Sequence, residues 1–223
     1  PDLDATLFHF DNILIFALTV LLFWRVLQRL RIPGALIGAA LFAVHPVNVE
    51  SVAWITERKN MFSGLFGMAV VLMFLRFARI GDPCDDGKPK DEIGDGTLTG
   101  GSWSQLRWGS FAAALVFWFL GLFAKTVIAF VPPALFLLVW WKRPKWTLKL
   151  GATLLPFLAS GVYFGLRTAR IEIEQVGASE VFFDLAFGEK CVLAGSVLWT
   201  YLLHILAPVQ QMFFYPKWGI DSS

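Results

Sequence analysis

The sequence predicts an all-α protein, a polytopic transmembrane bundle of about seven membrane helices with little soluble mass. Three observations predict it. Hydrophobic residues fill 57% of the 223 positions and charged residues only 16%, where a soluble domain carries about 25% charged residues. The apolar residues gather in blocks too long for the core helices of a small globule. Each block is bounded by charges, Gly or Pro, the residues that stop helices. The net charge of +2 matters less than where the charges lie, and no nucleic-acid partner is expected.

The blocks run over 7–30, 33–47, 61–80, 110–125, 127–141, 148–166 and 190–208. A full crossing takes about 20 apolar residues. The second, fourth and fifth are therefore expected to be short helices whose connectors dip toward the bilayer. The fourth and fifth could form one long span broken at Pro132-Pro133. Two elements are the better reading, because one span would bury Lys125 in hydrocarbon. Whether the segment 190–208 crosses fully is open.

Lys and Arg distribute unevenly between the two sets of connectors. One set holds twelve, from Arg25 through Arg76, Arg107 and Lys149, and the alternate set holds six: Arg58, Lys59, Lys125, Arg167, Arg170 and Lys190. The richer set is expected in the cytoplasm, with residue 1 outside. Cys84 and Cys191 then fall on opposite faces, which excludes a disulfide between them. The stretch 81–109, rich in Gly, Asp and Lys, reads as a flexible cytoplasmic loop. The stretch 171–189 alternates at Ile171, Glu172, Ile173 and Glu174 and reads as a short strand or a surface helix. The chain opens at Pro1 without a basic leader and closes soon after an aromatic segment, and it is expected to be part of a longer protein.

Chemistry concentrates in the connector His45–Asn60. Glu50, Glu57 and Asn60, seven and then three residues apart, would share one face of a continuous helix, with Val49, Val52 and Ile55 opposite. Arg58 beside them could bind an anion bidentately. A solvated connector with ordinary ion pairs accounts for the same charges. Lys125 closes the fourth block and reads as a snorkelling lysine or as a ligand for a lipid phosphate. Arg167 and Arg170, closing the sixth, could serve the same end. His9, His45 and His204 have no metal-ligand spacing, and no nucleophile, phosphate-loop or dinucleotide motif is present.

The string LFAVHPVNVESVAWITERKNMFSG at 41–64 resembles the HPxxxESVAWxxERK-D segment of the transmembrane-and-tetratricopeptide-repeat O-mannosyltransferases and their bacterial relatives. His9-x-x-Asn12, Leu122-Phe123-Ala124-Lys125 before Pro132, Tyr201 through Pro208, and Phe214-Tyr215-Pro216 resemble further elements of that family in the same order. The resemblance covers nearly the whole chain outside 81–109. It implies a GT-C membrane glycosyltransferase that moves a sugar, mannose-like, from a polyprenyl- or dolichyl-phosphate carrier to a protein or glycan acceptor. Transfer would occur on the exterior or lumenal face of a bacterial inner membrane or the endoplasmic reticulum. The donor is a substrate, and no cofactor or metal is implied. Arg58, Lys125 and Arg167 would hold the carrier phosphate, supported by His45, Glu50, Glu57 and Asn60.

This sequence departs from the family pattern in three respects. The acidic first-loop motif that supplies the catalytic base is expected upstream of Pro1, and the repeat array beyond Ser223. Asn60 stands where the family usually has Asp. Phe16 and Thr19 replace a polar pair. A non-catalytic anchor for a repeat scaffold is the alternative to a transferase. A transporter fits less well, because these charges sit at the ends of the blocks and not at their centres.

Overall fold

The structure is a computed structural model that describes residues 5–82, 103, 106–175 and 187–206. All its regular structure is helical, and there is no strand among the described residues. We number the α-helices α1 (Ala5–Arg29), α2 (Ala35–Val44), α3 (Val49–Ala53), α4 (Arg58–Phe77), α5 (Trp108–Ala124), α6 (Val131–Lys142), α7 (Thr147–Ala152), α8 (Leu155–Gln175) and α9 (Phe187–Leu206). Short 3₁₀ turns at Pro46–Asn48, Ile55–Glu57, Thr126–Phe130 and Pro144–Trp146 join several of them.

Two helices are long and apolar enough to cross a membrane, α1 from Phe8 to Arg29 and α4. The pairs Ala35–Val44 with Pro46–Ala53, bent by 51°, and Pro144–Ala152 with Leu155–Glu174, bent by 54°, raise the number to four if each is one crossing. Trp108–Ala124, Thr126–Lys142 and Cys191–Leu206 are apolar but shorter. The expected all-helical, membrane-type chain is thus present, with two to four candidate crossings among the described residues by length and composition. Local breakers keep the other apolar helices short. Pro33-Gly34 delays α2 and His45-Pro46 ends it. The segment expected at 148–166 splits where α7 gives way to α8, next to Pro156.

Lys125 does separate two elements, with an extended backbone at φ −162° and ψ 133°. Pro132 and Pro133 occupy the first turn of α6, where a missing N–H leaves no helical bond unmade. The Ile171–Glu174 alternation is helical, because α8 runs on through it to Gln175. Extending an existing helix costs far less than nucleating a new element. The middle of the 81–109 loop, Cys84, Phe182-Phe183 and Phe214-Tyr215-Pro216 lie outside the described residues.

The helix α4 is the central one. Half of its apolar window is buried, against 17% for α1, and it packs between α1 and α5. Val70, Phe74, Leu75 and Phe77 are fully enclosed. Phe74 and Phe111 meet Phe157 edge-on, as does Trp118 at 5.5 Å between ring centroids, the geometry that aromatic quadrupoles favour. The Trp118 indole N–H donates to Ser160 Oγ at 2.9 Å, so this buried ring leaves no donor unpaired. On the outside, Leu36, Ile37, Phe123, Phe130 and Leu148 are all more than 60% exposed. Apolar faces of that extent suit lipid contact.

Helices α1 and α4 end in the same way. Arg31 and Arg79 adopt left-handed φ values of 52° and 54°. The N–H groups of Ile32 and Ile80 reach back to Leu27 and Leu75 carbonyls at 3.1 and 2.9 Å, and those of Arg31 and Arg79 to Gln28 and Arg76. This is the Schellman pattern, with arginine where glycine is usual. Just beyond α4, Asp82 is buried and pairs with Arg29 at the end of α1 and with Arg107, at 3.1 Å, before α5. Both ends of the 81–109 stretch are therefore tied to the bundle.

Candidate functional site

The residues that sequence reasoning singles out lie mostly at the opposite end of the bundle, in the connector from α2 to α4. This connector is not one helix. The backbone is extended at His45 (ψ 127°) and again at Trp54 (φ −87°, ψ 120°), so α3 lasts only five residues. Glu50 therefore does not share a helical face with Glu57 and Asn60, contrary to the expectation from spacing. It is exposed on α3, whereas Glu57, Arg58 and Asn60 are half-buried.

The break at Trp54 is held from α1. Asn12, fully buried, donates from Nδ2 to the Trp54 carbonyl at 3.1 Å and lies 3.4 Å from that of Val52. The same Trp54 carbonyl accepts the Glu57 N–H at 3.2 Å. These are carbonyls that an uninterrupted helix would have paired internally.

Past the break, three side chains join in series. Asn60 Nδ2 donates to Glu57 Oε2, and Lys125 Nζ donates to Asn60 Oδ1. A carboxylate can only accept and an ammonium can only donate, which dictates the orientation of the amide between them. Lys125 and Asn60 stand at the rim of an open groove of about 410 Å³. Its walls are Ser63, Gly64 and Gly67 of α4 facing Val127, Ile128 and Val131. A Cβ at Gly67 would point at this facing wall, in ordinary van der Waals contact with Val131 at 3.7 Å.

Arg58 is directed elsewhere. Two residues apart on α4, Arg58 and Asn60 point about 200° from one another. The Arg58 guanidinium lies 5.2 Å from the Phe8 ring and 3.5 Å from Asp11, both on α1. Its Nε and Nη2 are shielded from solvent without a hydrogen-bond partner among the described residues, and the same holds for Asn12 Oδ1. Arg167 and Arg170 are exposed on α8, and no hydrogen bond or ion pair among the described residues joins Arg167 to the Lys125 group.

His45 serves a different contact. Its Nδ1 accepts the Val47 N–H at 3.2 Å, which leaves Nε2 to donate to the Ile205 carbonyl of α9 at 2.9 Å. This pairing selects the neutral tautomer protonated at Nε2. His45 also lines a second cleft of about 530 Å³, on the α1–α2 side of the connector, with His9, Phe16 and Asn48 among its walls. Thr19 is buried and bonds its own helix at the Ile15 carbonyl, so its hydroxyl is already used.

Of the expected site residues, the structure brings together Glu57, Asn60 and Lys125. It separates Arg58, Glu50, His45 and Arg167 from them. Spacing alone did not reveal the roles of Asp11 and Asn12. The available signal was two polar residues inside the opening turns of an apolar helix, where polar groups are costly unless engaged.

No protein-family model matches the chain, and no curated protein or solved structure matches it either. The family resemblance rests on the sequence motifs alone.

Proposed function

We propose that this chain is the membrane portion of a glycosyltransferase that takes a mannose-like sugar from a polyprenyl- or dolichyl-phosphate carrier and passes it to a protein or glycan acceptor. One observation carries the reading: Lys125 stands at the rim of an apolar groove walled by small α4 residues. A cation above an apolar channel is complementary to a lipid phosphate, with the head group at the ammonium and the chain below it.

The chemistry is a displacement at the sugar's anomeric carbon. The acceptor oxygen bonds to that carbon as the bond to the carrier phosphate breaks, and the acceptor proton passes to a carboxylate base. The family resemblance assigns that base to the acidic first-loop motif. Lys125 stabilises the negative charge that grows on the departing phosphate. Glu57, acting through Asn60, orients the ammonium. The GT-C arrangement adds the shorter helices α5, α6 and α9 to the longer ones, for about seven crossings. Residue 1 lies on the exterior or lumenal side, in a bacterial inner membrane or the endoplasmic reticulum.

One observation fits the anchor alternative equally well. Lys125 already bonds Asn60, a pairing that an inert connector would also show. A transfer assay on the intact protein with labelled polyprenyl-phosphate sugars separates the two. The transferase reading expects transfer that Lys125→Met abolishes, and the anchor reading expects none from either protein.

A further inference from the structure

We propose that Asn12 is a positioning residue, which holds the extended break at Trp54 and so sets Glu57, Asn60 and Lys125 in register across two helices. The route is short. Asn12 Nδ2 and the Glu57 N–H converge on one carbonyl, that of Trp54, at 3.1 and 3.2 Å. Glu57 then binds Asn60, and Asn60 binds Lys125. Moving the Trp54 carbonyl moves the amide of Glu57, and the carboxylate that anchors the series moves with it.

Asn12 is a poor choice for stability alone. It is fully buried, and its Oδ1 has no hydrogen-bond partner among the described residues. An apolar residue of similar volume would avoid that penalty. What leucine could not do is donate to the two carbonyls released where α3 ends. The functional meaning of this role rests on the transferase reading, but the geometry can be tested without it.

The test is the chemical reactivity of Lys125. The intact protein in lipid nanodiscs is treated with a small water-soluble amine-acylating reagent, and modification is quantified by peptide mass spectrometry. Lys59, exposed on α4 beside Asn60, serves as the internal reference. Asn60→Ala, which removes the partner of Lys125, calibrates the response at about tenfold faster acylation, the factor that one net hydrogen bond carries. Asn12→Leu is expected to approach the same rate while the protein stays folded, because the relief of the unpaired Oδ1 offsets part of the cost of leaving the two carbonyls without a donor. Asn12→Asp keeps the size but cannot donate when ionised, and it is expected to behave likewise. Unchanged Lys125 reactivity in a folded Asn12 variant overturns the proposal. Loss of folding in both variants overturns it too, because Asn12 would then support the whole bundle and not the site. No donor, acceptor or transfer enters the measurement, so its failure is distinct from failure of the transferase reading.

Discussion

The Lys125 ammonium donates to the carboxamide oxygen of Asn60, a contact between the break after α5 and the first turn of α4. These residues are far apart in sequence, and their meeting defines the rim of the groove. The amide does what an aspartate at position 60 could not do without cost. It satisfies Lys125 and Glu57 together, whereas a second carboxylate would face Glu57 as a like charge.

Asn60→Ala should therefore loosen the site without unfolding the bundle. Glu57 and Lys125 lose their shared partner, at about 1 kcal/mol, below the usual range for a bond to charged groups because both remain half-exposed. Thermal unfolding in detergent checks this, with a drop of only a few degrees expected.

The two cations at this end should respond differently to carrier. Lys125→Met is expected to weaken binding of polyprenyl phosphate about 10- to 100-fold, the range for a charge-assisted hydrogen bond. Arg58→Met should weaken it far less, because Arg58 faces Asp11 and Phe8 on α1. Equilibrium binding of labelled polyprenyl phosphate to the two variants measures the difference.

At the opposite end, Gly81→Ala should be strongly destabilising. Gly81 has φ +70°, and a Cβ there would stand 1.8 Å from the Arg29 carbonyl oxygen. Left-handed backbone alone costs a residue with a Cβ about 1–2 kcal/mol, and the contact with backbone cannot be relieved by a rotamer change. A loss above about 2 kcal/mol in reversible unfolding is expected.

Asp82→Asn should cost about 3 kcal/mol, because it leaves the enclosed Arg29 without its counter-charge. Arg107 is half-exposed and adds less. The double variant Asp82→Leu with Arg29→Met should recover part of the loss. A double-variant cycle in the same unfolding assay reads that recovery directly.

His45→Ala should free the end of α9 and little else. The Nε2 bond to the Ile205 carbonyl ties that helix to the connector, while most large apolar side chains from Val192 to Leu206 are exposed. Faster amide exchange in the last turn of α9, with exchange in α4 unchanged, is the expected pattern.

Much of the helical architecture was legible in the sequence, and the reason is physical. Long apolar blocks ended by Arg31-Ile32-Pro33-Gly34, His45-Pro46 and Lys125 leave few choices for where helices stop. Continuity across a bend was harder to read. The connector from Val49 to Asn60 has helical spacing throughout, yet Trp54 is extended because Asn12, on another helix, supplies the donor that its carbonyl needs. Spacing on one segment cannot report a partner supplied by another. The same limit applied to the candidate site. Lys125, Glu57 and Asn60 could be named one by one, but their series, and the turning of Arg58 toward α1, depend on how α4 packs between α1 and α5.

The most direct test of the central claim is photo-crosslinking of a polyprenyl phosphate, carrying a photoreactive group near the head of its chain, to the intact protein. The account predicts adducts on the groove walls at Ser63, Gly64, Gly67 or Val131, lost in Lys125→Met and competed by unlabelled carrier. Adducts confined to the cleft beside His9 and Phe16, or groove adducts that persist in Lys125→Met, would contradict it.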